Sequence, residues 1–301
     1  MIATSSVVAV LAMILAIGPA SAAEYEIGKR FGVVYAVHDR TRLVGDFYMP
    51  RGLTKAPVVV AMHGGGWRGG GRGFYKYWGP FLARHGYALF TIDYRVGKLG
   101  AYPAAIYDVK AALQFVRATA AEFDIDPDRI ALMGDSAGGY LAAMLALAGD
   151  RFTDRYRDDP NAGSPVKVKA VVGIYGIYDM AAQWTQDMRV SPGDSITQDF
   201  LGGSPTQNPQ IYRQSSPVNY VKPDRQEVRF LLIHGERDNL VDPLVQSGAF
   251  NTALVQAGFA SRLIIIPGAA HFWVSDAFEK DSRSFGAIAA PQLLQFLEGS
   301  L

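Results

Sequence analysis

The sequence predicts an α/β fold, in which one mostly parallel sheet of eight strands carries helices on both faces. Two observations support this prediction. After an initial hairpin, short runs of apolar residues alternate along the chain with longer segments of helical periodicity. Most of these runs are apolar throughout, as strands are when both faces of a sheet are buried. Alternating strands and helices joined by right-handed crossovers form a parallel sheet.

The eight predicted strands are short, and turn-forming residues or helical segments separate them. They cover residues 33–37, 43–49, 58–62, 87–92, 130–133, 168–175, 228–233 and 263–266. The first two are predicted to pair through a turn at Asp39-Arg40. The other six are expected to form the buried part of the sheet.

Four helices are predicted between and after these strands. The clearest begins at Pro103, a residue favoured in the first helical turn. Its apolar positions recur at spacings of three and four residues and lie on one face, at Ile106, Val109, Leu113 and Val116. The other helices are predicted over residues 136–147, after an N-cap at Asp242-Pro243, and over residues 284–297.

The composition indicates one globular domain. Hydrophobic residues make up 49% of the 301 residues and charged residues 19%, which is the balance of a folded chain rather than a disordered one. The formal net charge is +1. Nucleic-acid binding depends on clustered positive charge, so no nucleic-acid partner is expected. The catalytic domain is predicted to cover residues 24–301, and the oligomeric state stays open.

The N-terminal residues 1–23 are predicted to be a signal peptide. Residues 7–17 form an apolar run that is too short to span a membrane but long enough for a signal-peptide core. Ala20-Ser21-Ala22 provides the small residues of a cleavage site, although no Lys or Arg precedes the run. We therefore expect a periplasmic or secreted protein that keeps no stable membrane anchor after cleavage. The alternative is an ordinary buried N-terminal strand or helix.

One long segment, residues 177–225, does not follow the alternation. It is rich in proline and contains Trp184, Tyr212 and Tyr220. Loops of this length in compact domains are usually functional. The segment is predicted to form a small lid over the carboxyl edge of the sheet. The alternative is a structural excursion that only covers a helix.

A nucleophile motif follows the fifth predicted strand. Its sequence is Gly134-Asp135-Ser136-Ala137-Gly138. The G-x-S-x-G pattern is weak alone, but here it follows a strand and opens a helix, which is the arrangement of a nucleophile elbow. Ser136 is therefore the predicted nucleophile. The alternative is a glycine-rich turn with an incidental serine.

A second glycine-rich motif follows the third strand, in the order His63-Gly64-Gly65-Gly66-Trp67. We call residues 63–67 the oxyanion loop. Glycines there let backbone N–H groups approach a ligand and stabilise the oxyanion formed in acyl transfer. We assign this role to Gly65 and Gly66, with Ala137 after the nucleophile. A structural role, bracing the loop, is preferred for His63.

The general base is found by elimination among five histidines, which are His38, His63, His85, His234 and His271. In chains with this elbow the order along the chain is nucleophile, acid, base. Only the last two histidines follow the nucleophile, and His234 leaves no strand between itself and an acid. His271 lies in a loop of small residues after the last strand, where a base can reach the nucleophile. The alternative is an ordinary loop histidine.

The acid must lie between the nucleophile and the base. Asp238 follows the seventh predicted strand and would accept the ring N–H of His271, which fixes the tautomer and stabilises the imidazolium. Asp242 is better explained as a helix cap. Asp179, which follows the preceding strand, stays open as a second possible acid.

No cofactor and no metal are expected. The sequence has neither a G-x-x-x-x-G-K-[ST] phosphate loop nor an H-E-x-x-H motif. It contains no cysteine, and its histidines are scattered, so a zinc site is not predicted. The pair Asp158-Asp159 is interpreted as part of a solvated loop.

Taken together, these motifs resemble the esterase/lipase branch of the α/β-hydrolases that carries an HGGG oxyanion motif. This branch includes hormone-sensitive-lipase-like esterases, acetyl and feruloyl esterases that act on plant polysaccharides, and kynurenine formamidases. The resemblance covers nearly the whole mature chain. Besides the two glycine-rich motifs it includes Asp93-Tyr94-Arg95, Tyr102-Pro103-Ala104, Ser216-Pro217-Val218-Asn219 and His234-Gly235-Glu236-Arg237-Asp238.

Two departures from the branch bear on the substrate. In the predicted mature chain only residues 24–62 precede His63, and they are predicted to form a hairpin instead of a long helical cap, so the resemblance to the polysaccharide-esterase subgroup is closer. Ala270 precedes His271, where the family often has glycine. Phe272 and Trp273 follow it instead of Gly-Phe.

The resemblance implies a serine carboxylesterase for short-chain or aromatic esters, on a small molecule or linked to carbohydrate. An amidase or formamidase is the alternative reaction class, and a non-catalytic binding protein with this fold is a third. Trp67, Phe272 and Trp273 are predicted to bind the substrate. Packing of the two tryptophans into the core beneath their loops is the equal alternative.

Overall fold

A computed structural model describes residues 24–153 and 155–301. The predicted signal peptide lies outside the described residues. One sheet of eight strands runs through the molecule in the order β1-β2-β4-β3-β5-β6-β7-β8. The pairs β1/β2 and β2/β4 are antiparallel and all other pairs are parallel. The predicted α/β class, with a mostly parallel sheet of eight strands, is confirmed.

Each predicted strand is present. The observed bounds are β1 Ile27–His38, β2 Thr41–Pro50, β3 Ala56–Met62, β4 Ala88–Ile92, β5 Ile125–Asp135, β6 Ala170–Ile174, β7 Arg229–Gly235 and β8 Ser261–Ile266. The largest difference is at β1, which begins six residues before the predicted start at residue 33. Lys29 and Arg30 of this edge strand are polar and exposed, so this part of β1 lacks the apolar signature that identifies the inner strands.

Eight α-helices connect and flank the strands in the described residues. They are α1 Trp78–Arg84, α2 Ala104–Ala118, α3 Ala137–Ala148, α4 Met180–Val190, α5 Ile196–Leu201, α6 Pro209–Ser215, α7 Ala249–Gln256 and α8 Phe285–Glu298. The helix predicted after Asp242 starts with a π-helical turn, Leu244–Gly248, before α7. Asp242 Oδ1 accepts from Leu244 N at 2.9 Å and from Val245 N at 3.1 Å, so Asp242 does cap this segment. No helix among these residues has the length and hydrophobicity to cross a bilayer.

The sheet separates two hydrophobic cores because successive side chains of a strand point to opposite faces. In β3, Val58 and Val60 enter the core beneath α2, α3 and α7, whereas Val59 and Ala61 enter the core beneath α1 and α8. All seven residues of β3 are buried. Helices therefore cover both faces of the sheet, as predicted.

The insertion at residues 177–225 contains α4, α5 and α6 with short 3-10 turns. Asp179 caps α4, because its Oδ1 accepts from Ala181 N at 2.9 Å and Ala182 N at 3.0 Å. Ser195 caps α5 by accepting from Gln198 N. The insertion follows β6, which lies between β5 and β7, so it rises from the middle of the parallel part of the sheet.

Candidate active site

Ser136 occupies a sharp turn between β5 and α3. Its φ of 52° and ψ of −118° lie outside the regions that non-glycine residues prefer, and such strain is concentrated at functional sites. The N–H of Ser136 donates to Ile174 O at 2.8 Å, which ties the turn to β6. Gly138 lies so close to β3 that a Cβ there would stand 2.0 Å from Met62 O. The turn therefore needs the small residues of the motif.

The structure brings Ser136, His271 and Asp238 into one hydrogen-bonded chain. Ser136 Oγ lies 3.0 Å from His271 Nε2, and His271 Nδ1 lies 2.6 Å from Asp238 Oδ2. The three residues follow β5, β8 and β7 respectively, and all three of these strands end at the same edge of the sheet. Asp179, the rival acid, serves as a helix cap.

The hydrogen bonds around Asp238 fix the tautomer of His271. Asp238 Oδ1 accepts from Leu240 N and Val241 N, both at 3.0 Å. Burial raises the pKa of the carboxyl, but hydrogen bonds from His234, His271 and Val241 outweigh burial and hold the pKa below its ordinary value. The ionised carboxylate only accepts, so His271 Nδ1 carries the proton and Nε2 is free to accept from the Ser136 hydroxyl.

His234 supports the acid from the opposite side. Its Nε2 lies 2.9 Å from Val241 O and 3.2 Å from Asp238 Oδ2, so this nitrogen carries the proton and faces two acceptors. Its Nδ1 lies 2.7 Å from the Ser247 hydroxyl, which therefore donates to it. The ring is fully buried and cannot act as the base.

The predicted oxyanion donors lie beside the nucleophile. Gly65 and Gly66 line the same cavity as Ser136, and Ala137 is the first residue of α3. Gly65 has φ +115°, a value that favours glycine, and the carbonyl of Gly65 closes the turn by accepting from Arg68 N. None of these three backbone N–H groups donates to an acceptor within residues 24–153 and 155–301. They are available for a negatively charged oxygen.

His63 braces the oxyanion loop. Its Nδ1 lies 2.7 Å from Gly64 O and donates to it, and its ring stacks on Tyr94 at 4.3 Å. The Tyr94 hydroxyl donates to His63 O at 2.7 Å. Burial lowers the pKa of His63, so the ring stays neutral.

A cavity of about 340 Å³ opens above Ser136. The insertion forms one wall of it, and the oxyanion loop and the His271 loop form the others. The residues that line it are Gly65, Gly66, Arg68, Ser136, Gln183, Asp187, Val190, Ser191, Asp194, Ile196, Leu240, Val241, His271 and Phe272. Both apolar and polar side chains line it, which fits a ligand with both kinds of group.

Comparison with known protein families identifies the family of this chain. The sequence model of the BD-FAE family matches residues 45–254. The chain belongs to the BD-FAE family. The matched region runs from β2 into α7 and contains the oxyanion loop, Ser136, the insertion and Asp238, whereas His271 lies beyond it.

Curated relatives of this BD-FAE chain are esterases by name. Esterase LipC of Mycobacterium tuberculosis is 34% identical over 222 residues, which cover 72% of this chain and 53% of LipC. Esterase LipQ of the same organism is 32% identical over 69% of this chain and 48% of LipQ. The chain thus spans about half the length of these relatives.

Solved structures agree with the fold. A truncated carbohydrate esterase from gut microbiota is 26% identical, and the alignment covers 94% of this chain and 100% of that esterase, with a TM-score of 0.73. The thermophilic esterase Est2 of Thermogutta terrifontis is 22% identical and covers 92% of each chain, with a TM-score of 0.71. Both show that the BD-FAE chain has the α/β-hydrolase fold.

The structure corrects two of the predicted substrate-binding residues. Trp67 and Trp273 are each only 2% exposed, and neither lines the cavity above Ser136. Trp67 stacks on Phe200 at 4.4 Å, and Trp273 packs edge-on against Tyr175. Both rings therefore pack beneath their loops, which is the alternative that the sequence left open.

Phe272 differs from Trp273 because its left-handed backbone, with φ +70°, turns the loop between the two rings. It is 57% exposed, lines the cavity and stands edge-on to the His271 ring at 4.5 Å. Of the three aromatic residues predicted to bind the substrate, it is the one that the structure places at the cavity.

Several residues of the BD-FAE site were missed by sequence reasoning. Gln183 and Asp187 of α4 line the cavity, yet their spacing carries no motif. Gln183 Nε2 donates to Asp187 Oδ1 and Leu240 O, both at 2.9 Å. Arg68 donates to Asp194 and Asp199 at the rim. The only available signal was Arg68, which directly follows the oxyanion loop.

Within the described part of the chain, no group of three or more His, Cys, Asp or Glu residues could hold a metal ion. The ionisable groups at the cavity include His271, hydrogen-bonded to Ser136 and Asp238, together with Asp187 and the Arg68–Asp194 pair at the rim. The arrangement suits nucleophilic acyl transfer, in which a serine, a base and free amides act on a carbonyl group.

Proposed function

We propose that this BD-FAE chain is a serine carboxylesterase that hydrolyses short-chain or aromatic esters through an acyl-enzyme. One observation carries the proposal. Ser136, His271 and Asp238 are joined by hydrogen bonds of 3.0 and 2.6 Å, and Ser136 lies in a cavity lined by Gly65 and Gly66. Within the described residues, the backbone N–H groups of these two glycines and of Ala137 donate to no acceptor. The esterase names of the curated relatives support the same reaction class.

Acylation begins when Ser136 Oγ attacks the ester carbonyl carbon. His271 Nε2 takes the hydroxyl proton, and the ionised Asp238 stabilises the imidazolium. The carbonyl oxygen becomes an oxyanion, which the amides of the oxyanion loop and Ala137 stabilise. When the carbon–oxygen bond of the leaving group breaks, His271 returns its proton to the departing alkoxide. The products are an alcohol and an acyl-serine.

Deacylation repeats the steps with water. His271 takes a proton from a water molecule, whose oxygen attacks the acyl carbon. The second tetrahedral intermediate uses the same amides. Its collapse breaks the bond to Ser136 Oγ, which regains a proton from His271, and the carboxylic acid leaves. No external cofactor takes part in either half of the cycle.

The cavity supports a small acyl group and a polar alcohol. A volume of about 340 Å³ lies at the lower end of small-molecule sites. Val190, Ile196 and Phe272 supply apolar surface, whereas Gln183 and Asp187 supply polar surface in the same space. The carbohydrate esterase of similar fold supports an acylated carbohydrate as one substrate. Export to the periplasm or medium would bring the enzyme to such substrates.

Turnover of p-nitrophenyl acetate by the purified protein tests this proposal. The wild type should release p-nitrophenol, and Ser136→Ala should retain less than about 1% of that activity, because loss of a triad member costs several powers of ten. A fluorophosphonate probe should label the wild type and not Ser136→Ala. Wild-type protein that neither hydrolyses esters nor accepts the probe would contradict the proposal. Rapid hydrolysis of N-formylkynurenine with slow ester turnover would indicate a formamidase instead.

A further inference from the structure

Asp135 links the two glycine-rich motifs. It directly precedes Ser136 at the end of β5 and is 1% exposed. Its Oδ1 accepts from Gly64 N at 3.0 Å and from the Tyr75 hydroxyl at 3.0 Å. Gly64 belongs to the oxyanion loop. One carboxyl group therefore joins the turn that carries the nucleophile to the loop that carries the oxyanion donors.

The two segments are pressed together at this point. A Cβ on Gly64 would lie 2.5 Å from Asp135 Oδ2 and 3.0 Å from Ser136 Cβ, and the first of these distances is shorter than real Cβ atoms show. The oxyanion loop thus rests on the Asp135 side chain without a gap.

The carboxyl group makes no ion pair in the described part of the chain. The titratable groups that interact with it are Tyr75, Tyr94 and Tyr175, all buried and none of them a cation. Burial raises the pKa of Asp135 to about 7, although the hydrogen bonds from Tyr75 and Gly64 act in the opposite direction. A buried carboxyl without a counter-charge is unfavourable for stability, and perturbed groups of this kind concentrate at functional sites.

We propose that Asp135 is a positioning residue for the oxyanion hole. By accepting the Gly64 N–H, it holds the oxyanion loop at the height where the following amides reach the oxyanion. Asp135 does not contact the substrate and acts through the loop. The inference rests on the proposed function and adds a determinant of transition-state stabilisation that neither glycine-rich motif contains by itself.

The proposal predicts a loss in kcat and not in KM. An oxyanion donor contributes mainly in the transition state, and removing one donor costs roughly 100- to 1000-fold in kcat. A displaced loop should cost less, so we expect Asp135→Ala to lower kcat about 10- to 100-fold with KM within about threefold. Asp135→Asn keeps an oxygen that can accept the Gly64 N–H. We expect its kcat to stay within about threefold of the wild type.

A trifluoromethyl ketone separates positioning from general damage. Ser136 Oγ adds to its carbonyl group while His271 takes the proton, which leaves an alkoxide at the oxyanion site. Its Ki should rise for Asp135→Ala in proportion to the loss in kcat/KM, and should be nearly unchanged for Asp135→Asn. A variant that is only partly folded loses kcat, but its active fraction keeps the wild-type Ki.

The experiment therefore has defined outcomes. Wild-type kcat in Asp135→Ala, or a lowered kcat with an unchanged Ki, overturns the proposal. If Asp135→Ala does not fold, the same comparison is made with Asp135→Ser, whose shorter side chain cannot span the bond to Gly64. An unchanged Ki there overturns the proposal equally. Failure of the proposed function would be recognised separately, because the wild type itself would then lack esterase activity.

Discussion

Asp135→Asn should change how stability depends on pH. The folded protein holds the Asp135 proton more tightly than the unfolded chain does, because burial raises the pKa from 3.8 to about 7. The stabilising effect of that proton is fully present below pH 3.8 and is lost as pH rises through 7. A pKa difference of one between the folded and unfolded states corresponds to about 1.36 kcal/mol. Ionisation of Asp135 therefore lowers the free energy of unfolding by about 4 kcal/mol at pH 8.

Asparagine cannot titrate, so the variant should escape this loss. Between pH 5 and pH 8 the wild type should lose about 3 kcal/mol more stability than Asp135→Asn, because the remaining part of the loss occurs below pH 5. Urea unfolding of both proteins at several pH values measures the difference, and all other titrating groups cancel in the comparison. Asp158→Asn, at an exposed loop carboxyl, controls for the loss of one charge. Parallel stability curves for wild type and Asp135→Asn would refute the reasoning.

Two further predictions concern the acid and the acyl pocket. Asp238→Asn should lower kcat by about 10⁴, as loss of the acid does in serine proteases, whereas Asp179→Asn should weaken the α4 cap by no more than about 1 kcal/mol. Near-normal kcat in Asp238→Asn, measured with p-nitrophenyl acetate, would contradict the acid assignment. Activity on p-nitrophenyl esters from acetate to laurate should fall beyond about six acyl carbons, because the cavity is small. A maximum at octanoate or longer would show an open acyl groove. Trp273→Ala should leave the acyl-length profile unchanged and lower the free energy of unfolding by about 3 to 5 kcal/mol, because its ring is buried in the core.

The sheet could be predicted because strands that are buried on both faces have a recognisable sequence pattern. Inner strands such as β3 are apolar at every position, and all seven of its residues are buried. The first part of β1 lacks this apolar pattern. Lys29 and Arg30 are exposed on this edge strand, and backbone pairing with Tyr48 and Phe47 of β2 holds them in the sheet. Backbone pairing of this kind depends on the neighbouring strand and does not require a particular pattern of side chains.

The positions of the two tryptophans could not be predicted from proximity to a motif. Trp67 has φ +58°, so the chain reverses directly after the glycines and its ring is directed into the core against Phe200. Phe272 has φ +70°, which leaves its own ring exposed and directs Trp273 inward. A left-handed backbone at a non-glycine residue is set by the surrounding fold, and the sequence alone gives no sign of it.

The reacting groups and the substrate wall differ in predictability because of where they attach to the sheet. Ser136, Asp238 and His271 follow strands β5, β7 and β8, and parallel strands necessarily present their carboxyl ends at one edge. Chain order and strand order are therefore enough to bring these residues together. The wall of the cavity instead comes from the insertion after β6, where Gln183 and Asp187 are fixed by distant partners such as Leu240 O and the Thr197 hydroxyl. Since that wall makes none of the hydrogen bonds within the Ser136-His271-Asp238 chain, its side chains can change the substrate that fits without changing the groups that react.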